Sequence, residues 1–150
     1  MATSSEVARY IVRFFQEAGD PVTNLKLQKL LYYVQGWSLA INDAPAFNER
    51  LEAWVHGPVQ PGVYGEYRGY RWNPIDQAVE WPNLGDELTA LTKEVIDAYG
   101  NETAWELERR THTEEPWTLA RNGIPNDQDS NAEISRDSMK NFFKRLADGK

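Results

Sequence analysis

The run TNLKLQKLLYYVQGWSLAI, residues 23–41, decides the fold. Thr23 carries the short hydroxyl that caps a helix N-terminus. Behind it, Leu25, Leu27, Leu30, Leu31, Val34, Trp37, Ala40 and Ile41 supply bulky apolar side chains over more of the helix surface than a single stripe needs. That width predicts a helix from Thr23 to about Ile41 with neighbours on more than one side, at the centre of the core. Lys26, Gln28 and Lys29 read as its first polar face.

On the N-terminal side, Val7, Ala8, Ile11, Phe14, Phe15 and Ala18 share a face of a helix over about 5–18, and Gly19 stops it. On the C-terminal side, Leu88, Leu91, Val95, Ile96 and Tyr99 mark a helix over 86–99. Thr103 with Glu106 forms a capping-box pattern for a helix to about Arg110. Thr113 is read as the cap of a short helix, with Glu114 and Glu115 in its first turn, and Ser135 as the cap of a last helix packed through Met139, Phe142, Phe143 and Leu146. Residues 122–133 read as a loop of a length that is often functional or mobile.

Residues 47–55 alternate instead, with Phe47, Glu49, Leu51, Ala53 and Val55 on one face, which predicts a short strand. Residues 75–81 are its expected antiparallel partner. Pro58 fits the first turn of a short helix, and Tyr64, Tyr67 and Tyr70 form a stripe on a helix that Gly65 and Gly69 weaken. The expectation is a mainly α, compact single domain over 1–150, of about six helices with a short two-stranded β-ribbon.

Composition narrows the function classes. A chain of 150 residues can bury a core without disulfides, and there is no Cys for one or for a thiolate metal site. The N-terminus has neither a basic nor an apolar signal region, and no apolar run reaches the length of a membrane span, so a cytoplasmic protein without a membrane partner is expected. The net charge is −7: residues 1–75 carry 7 basic and 7 acidic side chains, residues 76–150 carry 9 and 16. Such a balance repels a phosphate backbone and disfavours nucleic acid as partner.

No recognisable catalytic constellation stands out. The two histidines, His56 and His112, are far apart in sequence. His112 with Glu114 or Glu115 leaves a metal-dependent enzyme as an alternative, against a capping role for His112. Nucleophile-elbow and phosphate-loop patterns are missing, so neither an enzyme nor a bound cofactor is expected. The run Trp54-Val55-His56-Gly57-Pro58-Val59 is a sharp bend that either presents Trp54 and His56 to a partner or redirects the chain over a buried Trp54. Tyr64, Tyr67, Tyr70 and Trp72, interleaved with Arg68 and Arg71, suit core packing, a protein interface or base stacking.

Taken in order, LKLQKLLYY at 25–33, EAWVHGPV at 52–59, Tyr64, Tyr99-Gly100, Leu107, Thr111-His112 and Pro116-Trp117 resemble the SocA-like antitoxins, the Panacea domain, over about residues 5–146. The resemblance implies a bacterial or phage toxin–antitoxin system in which the chain neutralises a cognate protein toxin by direct binding. One family activity, as a proteolytic adaptor delivering the toxin to a protease, adds a protease as a second partner. Leu27, Leu30, Leu31 and Gly57 are expected to serve the fold. Lys26, Tyr32, Trp54, His56, Tyr64 and Tyr67 are the expected partner-binding residues.

Overall fold

The computed structural model describes residues 1–149. Its central element is α2 (Asn24–Asn42), capped by Thr23, whose hydroxyl accepts from the Lys26 N–H. Around it stand α1 (Ser4–Glu17), α4 (Asp86–Tyr99), α5 (Ala104–His112) and α7 (Arg136–Ala147), together with a β-hairpin. With neighbours on so many sides, 13 of the 19 residues of α2 are buried, which removes any single polar face. Gln28 and Lys29, expected at the surface, are therefore fully buried.

The caps follow the local sequence. Thr3 and Glu6 close a capping box on α1, and Thr103 and Glu106 repeat it on α5. Ser135 caps α7. The α2–α7 packing depends on Gly36: a Cβ there would lie 2.1 Å from the Phe143 ring, so only a glycine lets that ring settle on α2.

The ribbon exists, but with a different partner. Strand β1 (Glu52–Trp54) pairs antiparallel with β2 (Gly57–Val59), in the register Glu52 to Val59, Ala53 to Pro58 and Trp54 to Gly57. The tight turn at Val55-His56 closes this pair locally, at far smaller entropic cost than a pairing with residues 75–81. The other edge of β1 is occupied by residues 132–134: Ala53 N–H donates to Ala132 O at 2.8 Å and Ile134 N–H to Leu51 O at 2.9 Å. Residues 75–81 instead strap α1, with Ile75 N–H on Val22 O at 2.8 Å and the Gln16 amide on the carbonyls of Ile75 and Gln77.

Two further expectations are corrected. Pro58 lies in β2, and Pro61 opens α3 (Pro61–Tyr67), with Gln60 as its cap. This α3, followed by a 3-10 turn at Arg68–Tyr70, brings the described α-helices to seven. Thr113 closes α5 rather than capping α6 (Glu115–Arg121), whose N-cap is Glu114. The loop after α6 is pinned from below: the buried Arg121 guanidinium donates to Pro125 O at 2.8 Å and also to Gln128 O. Among the described residues, no helix is long and apolar enough to cross a membrane.

Candidate functional site

Most of the unusual side chains of the sequence motifs meet inside the protein, behind the hairpin. Lys29 reaches from α2 to donate to Pro58 O at 3.2 Å. Its burial pulls the ammonium pKa down to about 7, against a partial upward pull from Glu108. The neighbouring Gln28 accepts the Gln60 N–H at 2.9 Å. From α6, the Trp117 indole donates to Trp54 O at 2.8 Å, and Arg121, stacked on that indole, donates to Ala53 O at 2.9 Å. The hairpin is thus tied to α2 on one side and to α6 on the other.

A second buried cluster lies between α2 and the start of α6. Tyr32 and Tyr33 both donate to the Glu114 carboxylate, at 3.1 Å each. Burial raises the Glu114 pKa to about 7, although both hydroxyls and Arg110 favour its ionised form. Tyr33 stacks on Tyr99 at 3.9 Å, and the Trp37 indole donates to the Tyr99 hydroxyl at 3.0 Å. A carboxylate held by two phenols fixes α6 against α2, and its burial keeps Glu114 away from solvent.

These placements separate the residues of the metal alternative. His112 stacks on Trp117 at 4.1 Å, with its pKa lowered by burial, Glu114 turns to the tyrosines, and Glu115 pairs with Arg145. Among the described residues, no group of three potential ligands converges on one point.

The outer face of the hairpin is different. Together with α3, the start of α2 and the turn after α3 it forms an open groove of about 520 Å³. Trp54 and Tyr64 meet edge to face at 5.0 Å on its wall. His56, with a side chain 67% exposed, stands at the hairpin tip, 3.3 Å from Glu108. Arg68, Arg71 and Trp72 complete the rim, and Trp72 is 78% exposed. The site therefore joins a rigid aromatic wall to a cationic edge, on a scaffold tied down from within.

Apart from Asn24 and Leu25 at the start of α2, the residues of this groove lie inside one matched segment. Residues 27–118 match the model of the family described as Antitoxin SocA-like, Panacea domain. The chain belongs to that family. Over 44 residues it is 50% identical to Antitoxin SocA of Caulobacter vibrioides (strain NA1000 / CB15N), a match covering 29% of this chain and 23% of that protein. No solved structure matches the chain.

For this SocA-like domain, the six residues singled out from sequence divide three ways. Trp54, His56 and Tyr64 come together at the groove. Lys26 sits elsewhere, donating to Gly100 O at 2.6 Å over the Phe15 ring, its pKa lowered by partial burial. Tyr32 is fully buried and Tyr67 nearly so, so neither offers a partner a usable surface: Tyr32 is held by Glu114, and Tyr67 turns inward from the C-terminal end of α3. The buried roles of Lys29, Glu114 and Arg121 were not foreseen. The only local signal for Glu114 is Pro116, which suits the first turn of a helix and so places the preceding residues at its start.

Proposed function

We propose that this chain is an antitoxin that neutralises a cognate protein toxin by direct protein–protein binding, in the cytoplasm of a bacterium or in a phage-encoded toxin–antitoxin system. The observation that carries the reading is the family match over residues 27–118. The disposition of the motif residues supports it. Lys29 and Trp117, both within the quoted motifs, are engaged by backbone partners inside the fold, as Glu114 and Arg121 are by tyrosine and backbone partners, so these residues build a scaffold. What the scaffold presents is aromatic and arginine-rich surface, the composition that dominates binding energy at protein interfaces. The chain acts as a binding protein and not as a catalyst.

Co-expression with the product of the adjacent gene tests this. Growth should be restored, and the two proteins should co-purify as a stable complex with the toxin's lifetime unchanged. A toxin that is never bound by the purified chain overturns the proposal, and one that disappears on co-expression points to delivery to a protease instead of masking.

A further inference from the structure

The groove between the hairpin and α3 has two features that packing alone does not account for. The first is its uncompensated charge. His56 has Glu108 beside it, but among the described residues no carboxylate lies within 4.0 Å of Arg68 or Arg71. Two free guanidinium groups at one rim stand out on a chain of net charge −7. The second is the backbone. Arg71 adopts φ 57° and ψ −121°, and Asn73 N–H donates to Tyr70 O at 2.9 Å. That is the geometry of a type II′ turn with Arg71 at the first central position, where glycine is the favoured residue. An arginine held there, with the exposed Trp72 next to it, is a local conflict of the kind that marks binding surfaces.

We propose that this groove is the toxin-contact site and that it takes an acidic segment of the toxin, with carboxylates on Arg68 and Arg71 and an adjoining aromatic or aliphatic side chain against Trp54, Tyr64 and Trp72. The assignment rests on the antitoxin reading above. The planar guanidinium fork matches a carboxylate with two parallel hydrogen bonds. The rings supply apolar area at small entropic loss, since Trp54 and Tyr64 are already fixed against each other and the Trp54 indole donates to Glu52 at 2.8 Å. A single nucleic-acid strand also favours rings and arginines, but the acidic remainder of the chain repels its phosphates.

The test uses the full chain with the toxin from the co-expression experiment. All the substitutions are at exposed residues, and thermal melts confirm that each variant folds. Trp72→Ala and Arg68→Ala should each weaken the complex by about tenfold or more, and Arg71→Glu by more than either. Raising NaCl from about 50 mM to about 500 mM should weaken the wild-type complex and affect an R68A/R71A variant much less. Replacing acidic residues of the toxin's contact segment with Lys should restore binding to R71E. If the wild type binds the toxin and every groove variant binds equally well, the groove assignment fails and the antitoxin reading stands. If the wild type does not bind, both fail. Two other results overturn the assignment: tight binding of a deoxythymidine oligonucleotide that the same substitutions abolish, or concentration-dependent self-association that Trp72→Ala removes.

Discussion

Replacing Gly57 with alanine should destabilise the protein by about 4 kcal/mol, from two sources that sum. Gly57 has φ 109°, a conformation that costs a residue with a Cβ about 1–3 kcal/mol. The new Cβ would also lie 2.6 Å from Lys29 Cε and 2.9 Å from Thr111 Oγ1. Neither neighbour can swing away. Lys29 is fully buried and tethered to Pro58 O, and the Thr111 hydroxyl donates to Glu108 O at 2.8 Å. Forcing a methyl into such a site costs a further ~1–3 kcal/mol. Because a domain is stable by only ~5–15 kcal/mol, the change removes a large share. At ~2–4 °C per kcal/mol for a chain of this size, Tm should fall by about 8–16 °C. Urea and thermal unfolding followed by circular dichroism measure both quantities. Adding the same change to a Lys29→Ala background should relieve the contact with Lys29 but neither that with Thr111 nor the backbone strain, so a double-mutant cycle should show coupling of about 1 kcal/mol or more. Gly65→Ala is the control: it lies in α3 with nothing within 4 Å of its would-be Cβ, and should be neutral or stabilising by up to ~1 kcal/mol. A G57A protein within about 1 kcal/mol of wild type would refute the reasoning.

Other perturbations follow from the buried charges and the turn. Glu114 has a folded pKa of about 7, above its ordinary 4.5, so the folded state holds a proton that the unfolded state has lost between those values. Stability should therefore fall as pH rises from 4.5 to about 7, by up to ~1 kcal/mol per pH unit, and Glu114→Gln should flatten this limb in urea titrations at several pH values. Lys29 acts in the opposite sense. Its folded pKa of about 7 lies below the ordinary 10.5, so the unfolded state binds more protons in that window and stability should rise with pH through it. Lys29→Met should remove the rise, and a wild type without an upward limb above pH 7 would refute the burial of a lysine there. Arg71→Gly should leave stability unchanged or raise it by about 1 kcal/mol, because relief of the turn outweighs the added freedom of the unfolded chain. The same variant should bind the toxin more weakly, a combination that a merely structural Arg71 does not produce.

Much of the architecture is written locally. The caps at Thr23, Thr103 and Ser135, with the apolar spacing behind them, place the helices that follow to within a residue or two, because a helix start depends on atoms within one turn of it. The breadth of apolar residues in 25–41 likewise marks α2 as the central element. The same breadth hides what tertiary structure decided. With helices and the hairpin packed around it α2 keeps no single polar face, and Lys29 and Gln28 pass from expected surface to core. The pairing of β1 with β2 turned on chain entropy, which favours a two-residue turn over the distant stretch that also alternates. At the candidate site, Trp54, His56 and Tyr64 were legible because they bracket a bend close in sequence. Tyr32 was misplaced because its partner Glu114 is 82 residues away. Capping and periodicity are short-range properties that one sequence determines by itself. Whether a polar or aromatic side chain faces a partner or the core is set by what the rest of the chain brings against it, and that only the folded protein decides.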